Sequence, residues 1–301
     1  MTKKMHGSIS LVSLMLCLLL VVISALALIA TSREYTRERE FLRGQQLRSL
    51  CGAVFLQQAD ILPEGEHLLY ETVLLPENEK VQVSAKKTLS SDGLLNYLEF
   101  TAQAAKHAGA MQCLRRLQLN FTEQQRLWAN SSVLVAVNLI GQEYLPTEAI
   151  YTSAKKEEVA LPKVSFLSGK AVNSLAAKEA QNNGLSACFY YIPSSTSLQF
   201  YGSKTYSGAS VVVNKGNITL GAKAKFPDRL ALFSEYGEIV INKNCQLDKA
   251  FIMSNSAVTI APGCNINGLI IARTIILQGP STFTADASVV APFASVIFPN
   301  K

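Results

Sequence analysis

Three histidines, six cysteines and a thin scatter of carboxylates are the side chains of this 301-residue chain that could make bonds or hold a metal. His6, His67 and His107 lie far apart, and no HExxH, Cys-x-x-Cys or Cys-x-x-His spacing puts two ligands on one turn or loop. The sequence therefore supports no metal site and calls for no cofactor. Cys17 falls in an apolar run, leaving Cys51, Cys113, Cys188, Cys245 and Cys264. That number is odd, so at least one thiol stays free or pairs with another chain. Between residues 206 and 301 the acids are Asp228, Glu235, Glu238, Asp248 and Asp286, dispersed and without a histidine. Catalysis by clustered carboxylates or by a histidine has no support there, and the reading is non-enzymatic. The formal charge is +6, and the first seven residues contribute only Lys3 and Lys4, so it is +4 without them. No stretch interleaves basic with aromatic residues, so no nucleic-acid partner is expected.

The elements that position these residues begin with the segment Ser8 to Ala30, which carries no charge over 23 residues. As a helix it would be roughly 35 Å long, enough for a hydrocarbon core of about 30 Å. Lys3 and Lys4 in front of it favour a cytoplasmic N-terminus, with the rest of the chain outside. A secretory signal is one reading, with Ala25 and Ala27 as the small residues before a cut. Against it, the apolar stretch continues through Leu28 and Ile29, and the next thirty residues contain no proline. Leu47, Leu50, Val54 and Phe55 recur at helical spacing, and Glu34/Arg37 and Glu40/Arg43 are i,i+3 charge pairs. One helix from about Ser8 to about Ala59 is expected, broken at most at Gly44. A lipoprotein signal at Cys17 is set aside because the residue before it, Leu16, is large.

A short basic leader ending in glycine, an uncharged apolar start and an unbroken passage into a charged amphipathic helix resemble the class III signal of type IV pilin-like proteins. The resemblance covers about the first 60 residues. It implies cleavage by a prepilin peptidase after Gly7, a methylated Ser8 as the first mature residue, and filament partners among other pilin or pseudopilin subunits. It departs from the family at the fifth mature position, where most pilins carry glutamate and this chain has Val12. A membrane carboxylate is costly without a partner. An apolar Val12, packing in membrane or filament, suits a subunit with nothing above it, as in tip pseudopilins and some minor pilins.

Residues 61 to about 125 read as strands. "HLLYETVLL" and "KVQVSAKKTL" flank the turn cluster "PENE", Val81 and Val83 alternate, and Leu98, Phe100, Ala102 and Ala104 share a parity. Met111, Cys113, Leu117, Leu119 and Phe121 do likewise, interrupted by Arg115. Two hairpins then make an antiparallel sheet whose apolar face the long helix covers. "VLVAVNLIG" at 133–141 reads as a further buried strand, and 174–182 as a short helix ended by Gly184.

The most specific pattern comes last. "NITLGAKAKF", "IVINKNCQL", "VTIAPGCNI" and "IILQGPSTF" align, with Leu220, Ile241, Ile260 and Leu277 followed four positions on by Ala224, Cys245, Cys264 and Ser281. Two positions further come Phe226, Leu247, Ile266 and Phe283, at spacings of 21, 19 and 17. A second strand set, "VVV", "LALF", "FIM" and "LIIA", falls between them. A repeat near 19 residues with alternating inward side chains predicts a β-solenoid, and the stretch resembles the bactofilin-like and other polymer-forming solenoids. The frame puts Ile260 in the core and Thr259 in solvent, so Ile260→Asp should unfold the domain and Thr259→Asp should do little. It also stacks Cys245 on Cys264, as a bridge or as two buried thiols. Proline and lysine in the tail "PFASVIFPNK" favour a capped solenoid over a polymerising one.

The expected fold class is α+β: a leader (1–7), a transmembrane and amphipathic helix (8–60), an antiparallel sheet region (61–205) and a β-solenoid (206–301). The expected function is that of a minor pilin or pseudopilin, single-pass in the inner membrane with an extracytoplasmic C-terminus. The alternative is an envelope scaffold whose solenoid self-associates or binds a partner.

Overall fold

The structure, a computed structural model, describes residues 5–74, 78–90, 93–105, 111–146, 151–159, 173–174, 189–192, 197–208, 210–291 and 293–297. The chain runs α1 (Met5–Gln58), β1 (Gly65–Leu74), β2 (Glu79–Leu89), β3 (Leu95–Ala104), β4 (Met111–Leu119) and α2 (Glu123–Ser131). There follow β5 (Leu134–Ile140), β6 (Tyr151–Ser153), β7 (Asn173–Ser174), β8 (Phe189–Ile192), β9 (Leu198–Phe200), β10 (Ser210–Asn214), β11 (Ile218–Leu220) and β12 (Lys225–Phe226). The last elements are β13 (Leu230–Ser234), β14 (Ile239–Ile241), β15 (Gln246–Ile260), β16 (Asn265–Leu277), β17 (Thr282–Thr284) and β18 (Phe293–Ile297). β1 to β4 and β18 form an antiparallel sheet in the order β1-β2-β3-β4-β18. Two compact units result, one of Met1–Ile61, His67–Ala85 and Phe100–Leu114, the other of Leu62–Glu66, Lys86–Glu99 and Arg115–Lys301.

In the first unit α1 is a single helix of 54 residues, unbroken at Gly44. Burial starts only in its last third, where Leu47, Cys51, Val54 and Phe55 lie on one face, with Ala59 just beyond its end also buried. The matching sheet surface is Val81, Val83, Ala85, Phe100, Ala102 and Ala104, all buried because strand side chains alternate. Phe55 meets Phe100 edge to face at 5.2 Å, and the Cys51 thiol donates to the Phe100 carbonyl at 3.5 Å. Burial pushes that thiol's pKa up, opposed by a hydrogen bond from the Leu114 backbone. Arg43 and Glu79 form a 2.8 Å ion pair with the glutamate almost wholly buried. Removing one partner of such a pair costs about 3–5 kcal/mol.

The second unit is dominated by a parallel β-solenoid of about five turns. On its first face Val212, Leu232, Ile252, Ile270 and Leu134 form one inward ladder across β10, β13, β15, β16 and β5. A second face ladders Phe200, Leu220, Ile241, Ile260 and Leu277, and a third Phe226, Leu247, Ile266 and Phe283. All point into the core. One corner repeats because Ser203, Lys223, Asn244 and Gly263 each take a left-handed backbone, with φ of 57°, 62°, 60° and 77°. Only glycine does so without steric cost, with asparagine next.

The first face is also covered outside. Val211, Val213, Ala231, Phe233, Phe251, Met253, Leu269 and Ile271 pack against Trp128 and Ala129 of α2 and against Leu95, Tyr97, Leu117 and Phe121. Strands buried on both faces need apolar residues at every position, which is why "VVV", "LALF", "FIM" and "LIIA" do not alternate. Thr122 caps α2, its Oγ1 accepting from the Gln125 amide at 3.2 Å while Gln125 Oε1 accepts from the Thr122 amide at 3.0 Å.

Four expectations need correction. The solenoid begins before residue 206, since β8 and β9 are already in parallel register with β10 and β11. The first-coil turns lacked the small-residue column that marks the later repeats. The strand at 133–141 is not part of the antiparallel sheet: β5 lies parallel on β16 and β6 on β5, so an earlier segment closes the solenoid's last coil. The tail does not cap the solenoid, because β18 pairs antiparallel with β4, Phe293 opposite Leu119. Thr259 is only 7% exposed, its hydroxyl donating to Glu238 Oε1 of the coil before. It points away from the core but not into water. Residues 175–182 of the expected short helix lie outside the described residues, and Ser174 is in β7.

Candidate functional site

Two surfaces and the solenoid interior carry the features of interest among the described residues. The first is the forward half of α1. Every side chain from Ser13 to Leu42 is exposed, including Leu14, Leu18, Val21, Leu26 and Ile29. The helix is long and apolar enough to cross a membrane, with a mean hydropathy of 2.9 in its most apolar window and none of that window buried. Fully exposing such a row to water would forgo about 1.5–3 kcal/mol per large side chain, so lipid or another apolar surface must cover it. Where the apolar run ends, the Thr31 hydroxyl donates back to the Ala27 carbonyl at 2.9 Å and the Thr36 hydroxyl to Ser32 at 2.8 Å. The helix thus satisfies these hydroxyls internally at the start of the charged segment Arg33–Arg43. Gly7, Ser8 and Val12 lie within α1, while Lys3 and Lys4 are outside the described residues.

The solenoid interior brings Cys245 and Cys264 onto adjacent coils, each just ahead of the paired residues Gln246 and Asn265. Both are buried free thiols. Cys245 Sγ donates to the Gly221 carbonyl at 3.1 Å, and Cys264 Sγ lies 3.2 Å from Asn242 O and 3.1 Å from Ala261 O. The adjoining Cys264 sulfur, together with burial, holds the Cys245 thiol well above its ordinary range. Protonated thiols donating to carbonyls are structural. Ser281 takes the same place in the next coil, its hydroxyl accepting from the Cys264 amide at 3.2 Å and donating to Ala261 O at 3.3 Å.

A polar column that the sequence did not disclose closes the corner after the first face. Ser234 Oγ lies within 3 Å of the carbonyls of Gly216 and Gly237, either of which can accept its single proton, and Ser254 Oγ donates to Gly237 O at 2.9 Å. Asn214 Nδ2 donates to Asn217 O at 2.9 Å. The column stands at the last position of β10 and of β13 and at the register shift inside β15, where a polar residue after an apolar run reads as an ordinary strand end. Its only signal was recurrence at the repeat spacing.

Outside, the third face carries a shallow groove of about 470 Å³, lined among others by Lys225, Gln246, Asp248, Asn265 and Asn267. Asn267 Nδ2 donates to Asp248 Oδ1 at 2.9 Å. Among the described residues no three His, Cys, Asp or Glu side chains converge. Of the solenoid's acids, Glu238 engages Thr259, Asp228 accepts from the Gly208 amide and Asp286 caps Ser288. They stabilise turns separately and do not meet at one point. No family model matches the sequence, and neither a curated protein nor a solved structure shows a match.

Proposed function

We propose that the protein is a non-enzymatic, pilin-like subunit, anchored by α1 before assembly, that enters a pilus or pseudopilus in low copy and displays its solenoid outside as a capping, initiating or adhesive head. The observation that carries this reading is the division of labour along α1. One unbroken helix has a forward part, Ser13–Leu42, whose side chains are all exposed, and a rear part buried on a sheet. A simple anchor needs no continuity between the two. A helix that leaves the bilayer to pack in a filament core does, because the sheet packed on its rear part must follow it.

Two features support display over end-to-end polymerisation. The last coil is covered by β5 and then β6, and the outermost strands on this face, β6 and β7, have three and two residues. Such short edges are poor templates for another copy. The proposed partners are a prepilin peptidase acting between Gly7 and Ser8, the inner membrane, and other pilin or pseudopilin subunits. Losing "MTKKMHG" removes Lys3 and Lys4, whose charges oppose withdrawal of the helix.

Intact mass and N-terminal sequencing of membrane-derived protein test this reading. A chain starting at methylated Ser8, with cleavage blocked by Gly7→Glu, is the expected result. A chain starting at Leu28, or one retaining Met1 or Thr2, would refute it.

A further inference from the structure

The antiparallel sheet ends in an edge that other strands do not cover. β1 is a ten-residue strand hydrogen-bonded to β2 on one side and to no other strand among the described residues. It contains no proline, no lysine and no arginine, the usual protections of a long edge. Leu68 and Tyr70 on one of its faces are 61% and 46% exposed, and Val73 on the other 48%.

We infer that β1 is a homodimer interface, the edge pairing antiparallel with β1 of a second copy about a two-fold axis through Leu69. The strand is self-complementary, which is what identifies the occupant. A two-fold axis normal to the sheet places residues of equal parity opposite each other, because it preserves the face to which each side chain points. Centred on Leu69, it sets Leu68 opposite Tyr70, His67 opposite Glu71, Glu66 opposite Thr72 and Gly65 opposite Val73. The exposed leucine and tyrosine become two cross-strand pairs, each carboxylate is matched with a neutral or basic-capable residue, and no like charges meet. An axis through Leu68 pairs Glu66 with Tyr70, and one through Tyr70 pairs Leu69 with Glu71; both shorten the overlap or lose the charge match. An axis at Glu66 or Glu71 sets carboxylate against carboxylate. The result is a continuous ten-stranded sheet, by a contact separate from any packing of α1 and not dependent on the filament reading.

The test uses the full chain in detergent with Cys17, which is exposed on α1, replaced by serine. Across the axis the two Leu69 Cα atoms would lie about 4.5–5.5 Å apart, within the range a disulfide spans. Leu69→Cys should give a reducible dimer on mild oxidation with copper phenanthroline, and a mixture of His67→Cys and Glu71→Cys chains should crosslink far more than either alone. Leu68→Lys, at an exposed site, should halve the light-scattering mass without shifting the melting temperature. A monomeric Cys17→Ser parent, a dimer that survives Leu68→Lys, or Leu69→Cys crosslinking no better than a Thr72→Cys control would each overturn the inference. Processing of the N-terminus, which tests the pilin-like reading, is a separate measurement and can fail independently.

Discussion

Replacing Ile260 and its neighbour Thr259 separates the interior of the solenoid from its shell. Ile260 is fully buried between Ile241 and Leu277, its partners in the coils before and after. Ile260→Ala deletes three carbons, worth about 2.4 kcal/mol at about 0.8 kcal/mol per buried carbon. Neighbours held by parallel hydrogen bonds on both sides can relax little. A residual cavity of roughly 50 Å³ at about 24 cal/mol per Å³ adds about 1.2 kcal/mol, giving a loss near 3.5 kcal/mol. Thr259→Ala removes one hydrogen bond to Glu238. Because the glutamate is partly exposed, water replaces the lost partner, and the cost should be about 1 kcal/mol. Thr259→Asp differs in kind: it sets a carboxylate beside that of Glu238, a repulsion of at most about 4 kcal/mol before solvent screening. Its cost should therefore fall on adding salt and vanish when the carboxylates protonate, whereas that of Ile260→Ala should respond to neither. Urea unfolding of the detergent-solubilised chain, followed by circular dichroism with and without added salt, measures all three. Equal losses for Ile260→Ala and Thr259→Ala, or a Thr259→Asp defect insensitive to salt and acid, would refute the assignment of inner and outer positions.

The thiols and one turn give further predictions. Cys245 and Cys264 are both buried in the solenoid interior, on adjacent coils. Both thiols should resist iodoacetamide until the chain unfolds, and a Cys245→Ala/Cys264→Ala variant should keep the fold at a modest cavity cost, read as a small fall in the urea midpoint. Gly268 has φ of 148°, and a Cβ there would run into the Ala250 carbonyl oxygen. Gly268→Ala should cost at least about 2 kcal/mol and shift the urea midpoint accordingly.

The solenoid register was legible because each coil repeats the same demand. An inward apolar residue, a turn and a small residue recur at nearly constant spacing, so Leu220, Ile241, Ile260 and Leu277 could be aligned before any strand was seen; all four are partners in register. The role of β5 was not legible. The strand's first residues, Leu134–Ala136, are apolar and buried on both faces, and such a run says nothing about whether its neighbours run parallel or antiparallel. Thr259 misled for a related reason: alternation tells which way a side chain points, but Glu238, one coil earlier, covers it. The edge character of β1 was partly visible in "EHLLYET", whose apolar residues are not confined to one parity, yet whether anything covers an edge is a tertiary fact.

The closure by β5 also sets when the second unit can form. Leu134 pairs with Ile270, more than a hundred residues downstream, and β18 returns to β4 later still. Neither contact exists until nearly the whole chain has been made, whereas the coils β10 to β15 need only their sequence neighbours and can grow one upon another. Loop-closure entropy makes such long-range pairings slow, so the open face of β16 should be the last surface covered, an apolar parallel edge exposed at the end of folding. If α1 enters the membrane first, as its position and hydropathy favour, the nascent head is held apart from other copies by its tether while that edge waits for β5. A chain freed of α1 would lose this separation, and its open β16 edges could meet one another before β5 closes them.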